Sequence, residues 1–165
     1  MDNNDLLIRL RYALSLRDIE IQKIFKLGGV ELTLEDVKKV LTKSEVFADV
    51  EEEVVENLTC NNKMLDAFLN GFIIYKRGVQ ENAPSPTTVT TLKRNNVNNI
   101  FLKKVKIALS LTTEDILEIL ALSNVVISKG ELGAVLRKEG HKNYKECGDR
   151  YIRNFLRGLA LKYRA

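Results

Sequence analysis

Apolar positions recur along this chain with helical spacing, and the same pattern occurs twice. Leu6 to Leu16 reads LLIRLRYALSL, and Phe101 to Leu111 reads FLKKVKIALSL. The shared Ala-Leu-Ser-Leu sets an offset of 95 residues. At that offset Arg9 aligns with Lys104, Arg11 with Lys106, Ile21 with Ile116, Ile24 with Ile119 and Leu27 with Leu122. Val30, Val40 and Leu41 likewise meet Val125, Val135 and Leu136. A second block, Phe68-Leu69-Asn70-Gly71 against Phe155-Leu156-Arg157-Gly158, matches at an offset of 87, so the first copy carries eight additional residues before its last helix. Apolar positions kept in step over about 70 residues mark an internal duplication.

Each copy reads as four helices. The first follows an Asn pair, Asn3-Asn4 or Asn98-Asn99, residue types suited to N-capping. The second spans about 18–27 and 113–122, its later copy opening with Thr112 and Asp115 at capping-box spacing. It ends at Gly28-Gly29 or Ser123-Asn124. Gly29 aligns with Asn124, the two residue types that tolerate the left-handed backbone of a helix C-terminus. The third helix opens at Thr33 with Asp36, or Ser128 with Glu131, again at capping-box spacing. Val37, Val40 and Leu41, or Leu132, Val135 and Leu136, give it an apolar stripe. The fourth and longest covers about 61–77 and 148–164. Both prolines, Pro84 and Pro86, fall between the copies in a stretch without helical period. The expected fold is all-α, two homologous four-helix repeats in tandem and pseudo-symmetric, with repeats at 1–77 and 98–165 and a linker at 78–97.

Composition narrows the class. No apolar run approaches the roughly 18 residues that span a bilayer. The start, Met1-Asp2-Asn3-Asn4-Asp5, lacks the basic-then-apolar order of a signal peptide. Two cysteines make no disulfide framework, so a cytoplasmic, reduced protein is expected, and Asn57-Leu58-Thr59 matches the glycosylation pattern by chance. Residues 1–80 hold 11 basic and 14 acidic side chains, a net of −3, whereas residues 81–165 hold 15 and 8, a net of +7. Only the second half can attract an anionic partner by its field.

Candidate chemistry concentrates there. In the last helix Tyr151, Ile152, Phe155, Leu156, Leu159 and Ala160 form a core-facing stripe. Arg150, Arg153, Arg157 and Arg164 fall within about 60° of one another at 100° per residue, a one-sided ridge about four turns long. The matching positions of the first repeat are Lys63, Asp66, Asn70 and Arg77. Guanidinium forks in a row suit phosphate or carboxylate recognition. The alternative is a solvated face with internal partners, among them Glu51-Glu52-Glu53. Before that helix lie His141, Lys142, Tyr144 and Lys145, a mixture suited to stacking on bases and contacting phosphates. The alternative is a turn with Tyr144 packed inward and Cys147 filling a small apolar site.

Cys147 lies six residues from His141, the chain's one histidine. A nucleophile pair would need spatial contact and an orienting third group. Cys147 aligns with Cys60, in a repeat with no histidine, so packing explains the thiol better, although a helix N-terminus can lower a thiol pKa. There is no closely spaced Cys/His zinc set, no phosphate-binding Gly-x-x-x-x-Gly-Lys loop and no Gly-x-Gly-x-x-Gly. The connection from Leu27 to Thr33 is longer than the three or four residues of a helix-turn-helix. No catalytic, cofactor or metal site is expected.

The segments NNIFLKKVKIALSL (98–111), DILEIL (115–120), GHKNYKECGDRYIRNFLRGL (140–159) and FLNGFIIYKRG (68–78), with the opening Asn3-Asn4-Asp5, resemble the YehS-like family of bacterial proteins, built around a duplicated domain of unknown function. The resemblance spans nearly the whole chain. It implies a bacterial, cytoplasmic, two-repeat helical protein and supplies no activity or catalytic residues. The expectation is a non-enzymatic binding protein engaging RNA or a ribonucleoprotein through the basic face of the second repeat. The alternative is a protein–protein adaptor or homodimer without nucleic acid. Neither a membrane nor a small-molecule substrate is implied.

Overall fold

The computed structural model describes residues 2–42, 58–78, 92 and 96–164. Within these residues the chain is all-α: α1 (Asn3–Leu14), α2 (Asp18–Leu27), α3 (Leu34–Val40), α4 (Asn62–Arg77), α5 (Val97–Ala108), α6 (Thr113–Leu122), α7 (Lys129–Leu136) and α8 (Asp149–Tyr163). The eight additional residues of the first repeat, Glu51-Glu52-Glu53 and both prolines lie outside the described residues.

Local sequence sets the helix ends. Thr33 with Asp36, and Thr112 with Asp115, form reciprocal capping boxes. The Ser128 side chain accepts from the Glu131 N–H. At α2 the cap position is Arg17, which has no acceptor oxygen. Glu20 instead reaches back to the Arg17 N–H and guanidinium, and also accepts from the Tyr75 hydroxyl. Gly29 and Asn124 close α2 and α6 at φ +97° and +64°. The matching Ala-Leu-Ser-Leu segments have a physical reason too. Ala13 and Ala108 are buried, and Ser15 and Ser110 turn left-handed at φ 53° and 54°. Leu16 and Leu111 then fold back into the core.

The Asn pairs do not act as N-caps. Asp2 caps α1, accepting from the Asp5 N–H, and Asn96 occupies the corresponding place at α5. Asn4 and Asn99 are instead buried inside the first turn. The Asn4 amide donates to the carbonyls of Val40 and Leu58, both at 2.8 Å, while its oxygen accepts from the Cys60 N–H at 2.9 Å. Asn99 does the same to Val135, Lys145 and Cys147. Asn3 donates to the Cys60 carbonyl and Asn62, as Asn98 does to the Cys147 carbonyl and Asp149. One Asn therefore satisfies three buried backbone groups from two other segments of its repeat, which local capping rules do not reveal.

Within each repeat the long helix crosses the second one closely. A Cβ on Gly71 would lie 1.9 Å from the Ile24 carbonyl oxygen, and one on Gly158 would lie 2.0 Å from that of Ile119. Only glycine permits this approach. Nearby, Gly28 closes on the Ala67 carbonyl, while its counterpart Ser123 donates to the Asn154 carbonyl at 2.8 Å.

Between the repeats, α4 packs on α5 and α1 packs on α8. Exchanging α1 with α5 and α4 with α8 converts one contact into the other, as a pseudo-twofold requires. A continuous buried core joins both halves, from Leu6, Phe25 and Phe68 to Phe101 and Phe155. The expected stripe of α8 is in place: Ile152, Phe155, Leu156 and Leu159 are buried, with Tyr151 and Ala160 half-buried.

Candidate anion-binding face

The pseudo-twofold places α8 against α1, and the two equivalent seams differ in charge. On the α4–α5 seam Lys104 lies 2.7 Å from both the Asp66 carboxylate and the Asn70 oxygen. The equivalents on the α1–α8 seam are Arg9 for Lys104, Arg153 for Asp66 and Arg157 for Asn70. All three are exposed, and among the described residues none forms an ion pair or side-chain hydrogen bond. One repeat seals its seam with a carboxylate. The other carries arginine at all three matching positions.

The ridge runs the length of α8. Arg150, Arg153, Arg157 and Arg164 are all exposed. A helix of 15 residues is about 22 Å long. Asp149 lies one turn before Arg153, and its carboxyl is held below the usual range first by the Asn98 amide and also by the charge of Arg153. At the far end the Arg164 guanidinium lies over the Tyr12 ring at 4.2 Å. It also donates to the Tyr12 carbonyl and the Ser15 hydroxyl, each at 2.9 Å. Tyr12, Arg157, Ala160, Leu161 and Arg164 line an open hollow of about 450 Å³.

The segment before α8 is tied at its base. The Lys145 N–H donates to the Ala134 carbonyl, and its own carbonyl takes the Asn99 amide. Lys142, Lys145 and His141 are exposed, and the His141 Nδ1 accepts from the Asn143 N–H. Tyr144 is half-buried with its hydroxyl enclosed, and burial raises its pKa with help from Glu139 and Glu146. The structure favours the inward-packed reading of this tyrosine over a stacking one. These residues lie at the N-terminal end of the ridge, so the structure separates them from the hollow at Arg164. Tyr12, 61% exposed, is the aromatic beside the arginines. Sequence reasoning missed it because it belongs to the first repeat, and only the tertiary pairing of α1 with α8 brings it there.

Cys147 is buried, its thiol facing the Gly148 carbonyl at 3.8 Å while His141 stands in solvent. Burial, reinforced by Asp149 and Glu146, pushes the thiol up to about 12. Its counterpart Cys60 is likewise pushed up to about 12, by burial and then Asp2. The helix start of α8 therefore does not activate the thiol, and both cysteines are packing residues. Among the described residues no group of three or more His, Cys, Asp or Glu is placed to hold a metal ion, and no helix is long and apolar enough to cross a membrane.

Fold and face together define a tandem-duplicated, all-helical protein whose two equivalent seams have diverged in charge. The chain belongs to the family described as Protein of unknown function (DUF1456), whose model matches residues 3–78 and 98–165, one stretch in each repeat. It is 41% identical over 162 residues, 98% of this chain and 96% of the relative, to the Uncharacterized protein YehS of Escherichia coli (strain K12). No solved structure matches it.

Proposed function

We propose that this protein is a non-enzymatic RNA-binding protein whose phosphate-contacting face combines α8 of the second repeat with α1 of the first. One observation carries the reading. Where the α4–α5 seam pairs Lys104 with Asp66, the matching positions of the α1–α8 seam, Arg9, Arg153 and Arg157, are all arginine, all exposed and in no ion pair among the described residues. Like charges collected on one face raise the free energy of the unbound protein, and a polyanion relieves this by releasing its counterions. Arg150 and Arg164 extend the row, and Lys142 and Lys145 add charge near its start.

The test is equilibrium binding of the full chain to labelled RNA across a salt series. Three phosphate contacts give log K against log salt a slope of about −2, at about −0.7 per contact on single strands. Arg153→Ala with Arg157→Ala is expected to weaken binding and flatten that slope by about 1.4. Absent or salt-independent binding overturns the reading. If the same double variant then changes oligomeric state, the protein–protein adaptor takes its place.

A further inference from the structure

We infer that the Tyr12–Arg164 hollow is a base-stacking site, so that the RNA recognised along α8 is single-stranded, with an unpaired base seated at the C-terminal end of the ridge. The inference rests on the RNA-binding reading and names the chemistry of its ligand. Three observations converge on it. Arg164 is held over the Tyr12 ring, 4.2 Å from its centroid, by hydrogen bonds to the Tyr12 carbonyl and the Ser15 hydroxyl. An exposed cation anchored beside an exposed phenol ring offers a base a planar aromatic and a planar guanidinium at one place, already positioned before binding. The open hollow beside it is also lined by Ala160 and the exposed Leu161, and its volume is about 450 Å³, in the range of small-ligand clefts.

The third observation is continuity. Arg157 lines the hollow and also belongs to the unpaired group with Arg153 and Arg9, so a phosphate held there leaves the adjoining base at the hollow. A duplex cannot use such a site, because its base faces are stacked inside and its shallow groove shows only edges and 2′-hydroxyls. A single strand can splay a base outward at modest cost and recover it by stacking. The α4–α5 seam has no such platform: Ile107 stands at the position of Tyr12.

The experiment compares a fluorescein-labelled oligoadenylate of about a dozen nucleotides with an RNA duplex of equal length, by anisotropy on the full chain. The single strand is expected to bind at least tenfold more tightly. Tyr12→Ala is expected to cut single-strand affinity about five- to hundredfold while leaving duplex binding and both salt slopes unchanged. Tyr12→Phe, which keeps the ring, is expected to retain single-strand affinity. Because Tyr12 is exposed, neither change threatens the core, and thermal melting checks this. Equal binding of strand and duplex, or an equal effect of Tyr12→Ala on both, overturns the stacking site and leaves the RNA-binding reading standing. Failure of the unaltered protein to bind either RNA overturns both.

Discussion

Lys104 of α5 lies 2.7 Å from the Asp66 carboxylate of α4, an ion pair joining the two repeats with both side chains mostly covered. At the matching positions of the other seam stand Arg9 and Arg153, both cations. The two seams should therefore answer differently to the same substitution. Asp66→Ala leaves a half-buried ammonium with Asn70 alone and is expected to cost about 1–2 kcal/mol, between exposed and fully buried pairs. Arg153→Ala removes only an exposed charge one turn from Asp149 and should stay within about 0.5 kcal/mol. Arg153→Asp sets a carboxylate one turn from Asp149 in place of a cation, so it is expected to change stability by less than about 1 kcal/mol while weakening the proposed RNA binding. Urea midpoints at constant m-value would measure all three. Equal losses from Asp66→Ala and Arg153→Ala would show that the two seams do not differ in pairing.

The Asn99 clamp offers a sharper test of the interior. Asn99→Ala orphans the Val135 and Lys145 carbonyls and the Cys147 N–H, and is expected to cost about 3–4 kcal/mol. Asn99→Asp keeps an acceptor for the Cys147 N–H but turns a carboxylate toward two carbonyls. Burial and those dipoles raise its folded pKa above the unfolded value. The deficit is then largest at neutral pH and shrinks as pH falls toward the unfolded aspartate value of about 3.9. Melting curves of variant and parent across that range would show the gap narrowing, and a gap that widens on acidification would refute the assignment.

The clamp also marks how much was legible in the sequence. Repeats, helix spans and most ends were, because caps and apolar periods are local signals: Thr33 with Asp36, Gly29 with Asn124 and the α8 stripe stand as read. Local capping preference misassigns the Asn pairs for the same reason. An asparagine before a helical run obeys a local capping preference, whereas Asn4 spends its side chain on Val40 and Leu58, 36 and 54 positions away. The usable clue was covariation between the copies, since the Asn pair and the cysteine repeat together. The pairing of α1 with α8 left no local trace, for two similar apolar stripes do not encode which partner each meets. Arg9 and Tyr12 therefore stayed outside the candidate face, although the α8 ridge itself was legible.

Gly158 and Gly133 should separate close approach from helix propensity. Alanine at Gly158 sets a methyl 2.0 Å from the Ile119 carbonyl, so α6 and α8 must part, with an expected cost of about 2–3 kcal/mol or more. Gly71→Ala is expected to do the same to α2 and α4 through Ile24. Gly133 sits within α7 with nothing inside 4 Å of an added Cβ, and its alanine variant should gain about 0.5–1 kcal/mol. Denaturation midpoints moving in opposite directions would support this. A neutral Gly158→Ala would contradict the close crossing.

The cysteines make a last expectation with a definite sign. Cys60 and Cys147 are buried, and their thiols are pushed up to about 12, so both are neutral in the folded protein at ordinary pH. A disulfide reagent should reach them only as fast as the chain opens, and both together once it is denatured. The unfolded chain loses these protons near the free-thiol value of about 8.5, whereas the folded chain keeps them to about 12. The folded state then binds more protons throughout that interval, so stability must fall as pH rises across it. Cys147→Ala removes one such group and should flatten the alkaline decline, at a packing cost of about 1 kcal/mol at neutral pH. Because the thiol makes no part of the α1–α8 face, the same variant should leave the proposed RNA binding unchanged. Fast thiol labelling of the native protein, or an alkaline decline unchanged by Cys147→Ala, would show that Cys147 is less enclosed than its packing implies.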